Sequence, residues 1–120
     1  MLNRDTVRRK LEDLRELGFR EEEVRSLIKR FPEVLGISEN KLRQNFKFLV
    51  EEWKLPRNAI LSNPAALHYS IEKRLKPRLN AFRALMMNKS LEKSMSYPPV
   101  RYLSMSEKDF HTKVVGRFAA

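Results

Sequence analysis

No cysteine occurs among the 120 residues, so disulfides, thiolate nucleophiles and Cys-ligated zinc or iron–sulfur centres are excluded. Glycine is scarce, at three, and strand-type alternation of apolar residues is rare, which argues against an all-β fold and against a Gly-rich phosphate loop. Long apolar runs are missing too. The longest, Ala84–Met87, falls far short of the ~18 residues of a membrane span, so a soluble chain with no membrane partner is expected. Histidine is limited to His68 and His111, and neither stands in a metal-ligand frame. No serine-nucleophile motif and no helical pair of core carboxylates is present. These absences lead to the expectation of a protein that is not an enzyme, with no cofactor and no metal.

Acids are the remaining deficit. Asp plus Glu is 15 against 25 Lys plus Arg, a formal charge of +10, enough to attract polyanions across a Debye length. The surplus is uneven: residues 1–60 hold 14 basic and 11 acidic side chains, while 61–120 hold 11 and 4. An N-terminal targeting peptide should be basic and poor in acids, but Asp5, Glu12, Asp13, Glu16 and Glu21–Glu23 come early, so no such peptide is expected in this chain.

What is present is helical periodicity. Val7, Leu11, Leu14 and Leu17 form an amphipathic stripe that Gly18 is placed to stop. Val24, Leu27, Ile28 and Phe31 repeat it until Pro32, behind acids at the helix start. Ser38 opens a third helix, with Leu42, Phe46, Leu49 and Trp53 on one face, that closes near Leu55-Pro56. A short helix from Pro56 to Asn63 follows. Ser70 then opens a long one carrying Ile71, Leu75, Leu79, Phe82 and Met86, in which Pro77 predicts a kink or a late start. Beyond it, Leu91–Met95 is expected as a short helix, Tyr97-Pro98-Pro99 as a break, and Ser106–Asp109 as the start of a final helix.

The chain also repeats itself. Phe31-Pro32 through Leu35 to Ser38 overlays Asn63-Pro64 through Leu67 to Ser70, so that proline, leucine and serine coincide at a separation of 32. Downstream, Leu42/Phe46/Leu49 and Leu75/Leu79/Phe82 share one spacing after a one-residue insertion in the second copy. A degraded third copy keeps Pro98 and Ser104, with Arg101 in place of the leucine. A period of this size signals stacked supersecondary units: a short helix, a proline-led turn and a serine-capped long helix. Such arrays normally need ~3 or more units, so a piece of a longer array is expected, with self-association through uncovered terminal faces.

These strings resemble the mitochondrial transcription termination factors, the mTERF family, in its plant organellar branch. Leu17-Gly18-Phe19, VRSLIKRFP at Val24–Pro32, Phe48-Leu49, Glu52-Trp53, Leu55-Pro56 and NPAALHYSIEKRLKPRLNAFRAL from Asn63 carry the resemblance. It implies an all-α fold, an α-solenoid of about two and a half mTERF-type repeats, each of two helices and a 3₁₀ turn. The whole chain, 1–120, is then one domain with units at roughly 3–37, 38–69 and 70–104 and a C-terminal helix at 105–120. The resemblance further implies a positive concave face for nucleic acid, residence in a mitochondrion or chloroplast, and a role in transcription termination, transcript regulation or intron splicing.

The candidate nucleic-acid-binding residues come from the basic stripes. Arg74 and Arg78 flank the Leu75 stripe on one side and Lys76 and Arg83 on the other, while Lys29, Arg30, Arg43, Lys47 and Arg57 hold comparable places in the first unit. Arginine offers a planar fork to two phosphate oxygens, and counterion release supplies affinity without reading sequence. Double-stranded DNA is the expected partner, affecting transcription. RNA in intron splicing and a non-catalytic protein-binding scaffold are the two alternatives. His68 is expected to face solvent or serve structure. Trp53 and Phe82 belong with the core rather than with base stacking, and Tyr69 and Phe48 stay open between the two.

Overall fold

A computed structural model describes residues 3–87 and 98–116. They are helical throughout and fall into two compact units, Met1–His68 and Tyr69–Ala120.

In the first unit, α1 (Arg4–Glu16) begins at Asn3, whose side chain accepts from Thr6 N at 2.8 Å. It ends where the spacing predicts. Gly18 turns left-handed (φ 98°), its N–H donates to Arg15 O at 2.9 Å, and Phe19 N–H reaches Leu14 O at 3.4 Å. This pairing satisfies the last carbonyls and buries Phe19 beside Leu14. Helix α2 (Glu21–Arg30) follows and stops at Phe31, and Pro32–Gly36 forms a 3₁₀ turn. Ser38 then caps α3 (Glu39–Lys47), accepting from Lys41 N at 3.2 Å. The next five residues, Phe48–Glu52, continue α3 as a π turn. Arg57–Ser62 is α4, and Pro64–Leu67 is a second 3₁₀ turn. Helix α2 packs on its counterpart α4, and α3 packs on the second 3₁₀ turn. Leu14, Leu27, Leu42, Leu49, Trp53, Ile60 and Leu67 fill the core.

In the second unit, Ser70 caps a π turn at Ile71–Leu75, accepting from Lys73 N at 3.0 Å, and α5 (Lys76–Met87) follows. Pro77 is the second residue of α5, directly after the π turn, so the bond it cannot make falls where the bonding pattern changes. The π turn also accounts for the one-residue insertion: Leu75 N–H bonds Ser70 O at 3.0 Å, five residues back, and one extra residue is absorbed without losing the stripe. Leu75, Leu79 and Phe82 are buried as expected. A single turn, α6 (Arg101–Ser104), and α7 (Glu107–Phe110) with a π turn at His111–Val115 complete the unit. Phe82, Tyr102 and Phe110 stack edge to face, with centroids 6.3 and 5.5 Å apart.

The third copy is out of the expected register. Val34 and Ala66, two residues after Pro32 and Pro64, donate to the residue just before each proline, at 3.0 and 3.1 Å. The matching bond in the second unit runs from Tyr102 to Pro99 O at 2.9 Å, so Val100 stands where the prolines stood. Leu103 is then the repeat leucine and Ser106 the cap, accepting from Asp109 N at 3.0 Å. Pro98 and Ser104 misled because proline was taken as the marker, whereas the buried leucine and the capping serine carry the geometry. The short helix expected at Leu91–Met95, the break at Tyr97 and the basic residue Lys89 lie outside the described residues, as does the side chain of Met86.

Candidate nucleic-acid interface

In the first unit, Lys29 and Arg30 occupy the last turn of α2, where cations complement the helix dipole. Both are exposed, and Arg30 Nη1 donates to Leu61 O in α4 at 3.3 Å. Arg43 and Lys47 are four apart and share a face of α3. Two carboxylates hold Arg43: Glu16 accepts from Nη2, and Glu39 Oε1 from Nε at 3.0 Å. These bonds, Glu16 first, raise its pKa above the ordinary arginine value. Lys47 is exposed, and no ion pair among the described residues holds it or Lys29.

Arg57 opens α4 and reaches back, donating from Nη1 to Gly18 O at 2.5 Å and to Glu23 Oε1 at 3.2 Å. Glu23 also accepts from Arg20 N–H at 2.8 Å. That backbone bond first, and Arg57 after it, keep the Glu23 carboxyl below the ordinary range. Arg57 thus sits toward the start of α2 and Lys29 and Arg30 at its end, about 10 Å away along the axis. The first unit does not gather its cations into one patch, and two of them, Arg43 and Arg57, are engaged by acids.

In the second unit, the Arg74 guanidinium lies 4.3 Å over the Tyr69 ring and 3.5 Å from Leu103 O. Lys76 pairs loosely with Glu72 at 3.8 Å, and Arg83 is exposed. Arg78 corrects the expectation placed on it. It is 1 % exposed, donating from Nη1 to Tyr102 O at 2.8 Å and Leu103 O at 3.3 Å, with Nη2 3.4 Å from Glu107 and its guanidinium 5.1 Å from the Phe110 ring centroid. Burial first, and the neighbouring Arg74 charge next, lower its pKa. Its place at the edge of the apolar stripe reads equally as rim or interior. The acceptors on the third turn draw it inside, where no phosphate can reach it.

Buried polar residues were the feature the sequence hid. Lys10, Asn45 and Arg78 each stand four residues before a buried apolar one, Leu14, Leu49 and Phe82. Each donates to the backbone of the next short turn: Lys10 Nζ to Ile37 O just after the first 3₁₀ turn, Asn45 Nδ2 to Ala66 O at 3.0 Å within the second, and Arg78 to Tyr102 O in the single turn α6. Ala66 and Tyr102 hold the same place in their turns. Lys10 is further paired with the buried Asp13 at 3.8 Å. The available signal was position: all three lie on or beside the apolar stripe of their helix.

Trp53 is fully buried and Phe82 nearly so, which removes both as stacking platforms, while Phe48 and Tyr69 are half-buried. His68 and His111 face solvent. Among the described residues no group of three His, Cys, Asp or Glu could hold a metal, and no helix is long and apolar enough to cross a membrane. An open cleft of about 300 Å³ between α1 and the first 3₁₀ turn sets Arg9 and Lys10 against Asp13 and Glu39, a balanced rather than a cationic lining.

A comparison with curated proteins gives no match. The family model described as mTERF matches residues 1–111, nearly the whole chain. Paired helices, intervening 3₁₀ turns and recurrent caps agree with that match, and the chain belongs to the mTERF family of non-catalytic helical-repeat proteins that bind nucleic acid.

Proposed function

We propose that the chain binds double-stranded DNA through its phosphate backbone, in a mitochondrion or chloroplast, and thereby regulates or terminates transcription. The observation that carries this reading is a formal charge of +10 in the sequence, with exposed basic side chains on several helices, within a family that binds nucleic acid. Lys29, Arg30, Lys47, Arg74 and Arg83 are the contacts proposed first, because each is exposed or half-exposed, and among the described residues no carboxylate lies within 4.0 Å of Lys29, Arg30, Lys47 or Arg74. Arg43, Arg57 and Lys76 contribute only where phosphate displaces an acid. Contacts of this kind fix register on the duplex without reading bases.

Charge reversal tests the assignment. Lys47→Glu with Arg83→Glu should weaken binding to unrelated duplex sequences alike and leave far-ultraviolet circular dichroism unchanged. Unaltered affinity in the folded double variant would overturn the site, and a structured RNA that displaces duplex at equal concentration would replace DNA with RNA as the partner.

A further inference from the structure

Three of the chain's buried polar side chains sit in one register and do one job. Lys10, Asn45 and Arg78 each reach from a longer helix to a carbonyl on or just after the next short turn, and each is at most 6 % exposed. The chemistry varies from ammonium to amide to guanidinium, yet the donor position persists, and Asn45 and Arg78 share the same target place in their turns. Lys113 provides a natural contrast. It stands three residues after Phe110, as Asn45 follows Leu42 and Arg78 follows Leu75, but it is largely exposed and its ion pair is with Asp109 on its own helix at 3.8 Å.

We propose that Lys10, Asn45 and Arg78 are positioning residues for nucleic acid, each fixing its helix against the next short turn so that exposed cations on the array keep a set spacing. This rests on the phosphate-binding role proposed above. Asn45 lies between Arg43 and Lys47 on α3, and Arg78 between Arg74 and Arg83 on the Ile71–Met87 helix. A helix that can rotate or slide by a fraction of a turn no longer presents its cations together, and each lost phosphate contact makes the salt dependence of binding shallower by about 0.9 in log–log slope.

Asn45 allows a test free of charge effects, because it is neutral and buried and cannot itself touch phosphate. Asn45→Leu keeps the volume and removes the donor, leaving the Ala66 carbonyl without it. Titrated with fluorescent duplex DNA across a salt series, the folded full-length variant should show a slope shallower by about one contact, with helical content retained. Asn45→Gln, which keeps the amide, should restore part of the slope. Arg78→Lys should likewise bind close to wild type, while Arg78→Met should not, and Lys113→Met should match wild type throughout. A folded Asn45→Leu chain with the wild-type slope sinks the positioning role even if Arg78→Met fails to fold. A wild-type chain that shows no salt-dependent binding sinks the phosphate reading instead, so the two failures are separable.

Discussion

Lys54 holds a conformation that its side chain opposes. With φ at 67° it ends the α3 helix and its π turn in the left-handed region, the task Gly18 performs for α1, and Leu55 N–H then bonds Leu49 O at 2.9 Å. Lys54→Gly should raise stability by about 0.5–1 kcal/mol, seen as a higher urea midpoint, and a lower midpoint would show that the lysine compensates elsewhere. Two carboxylates give the fold an acid limit. Glu21, bonded first of all by Arg15, and Glu23, bonded first by Arg20 N–H, both titrate below the ordinary value of 4.5. A depressed folded pKa means that their contribution is complete above the unfolded value and is lost as pH falls through the folded one. Urea midpoints should therefore hold down to about pH 5 and drop below 4.5, with a flatter acid limb in Glu23→Gln; an identical limb in that variant would count against the assignment. At this scale the sequence was legible wherever residue type and position agree, as for Leu14, Leu42 or Gly18. It was illegible for Lys10, Asn45 and Arg78, because what buries a polar group is an acceptor on a segment distant in the chain.

Element boundaries follow from a few local devices. Ser38, Ser70 and Ser106 each accept a backbone N–H three residues on, and loss of such a cap costs about 1 kcal/mol. The helices, their order and the caps Ser38, Ser70 and Ser106 could be assigned from apolar spacing, from the repeat and from the capping pattern at Ser106–Asp109. The π turns could not, since a wheel drawn at a fixed angle per residue has no place for bonds five residues apart. Even so, the one-residue insertion between the copies marked where the turn at Ile71–Leu75 falls. The shifted third register yields its own test. Val100 has φ −57°, the value proline imposes, and occupies the place of Pro32 and Pro64. Val100→Pro should be accepted with a gain of about 0.4–1 kcal/mol in unfolding experiments, while a clear loss would return the third turn to the register of Pro98.

Across the molecule the charge is distributed by unit, +3 over Met1–His68 and +7 over Tyr69–Ala120. The second unit owes its excess to few acids rather than to many bases, so its cations meet less internal competition for phosphate. In the first unit Glu16, Glu23 and Glu39 take up Arg43 and Arg57 as internal clasps. The family was readable from NPAALHYSIEKRLKPRL and its companion strings, while the division of arginines into clasps, buried donors and exposed cations required the acceptors to be seen in place. That division reduces the first-rank phosphate contacts to about five. The most direct measurement is the affinity of the unaltered chain for a mixed-sequence DNA duplex between low and physiological salt. A log–log slope near −4.5, shared by unrelated duplexes, is the expected result for about five contacts. A slope near zero, or no binding at low salt, would contradict the account.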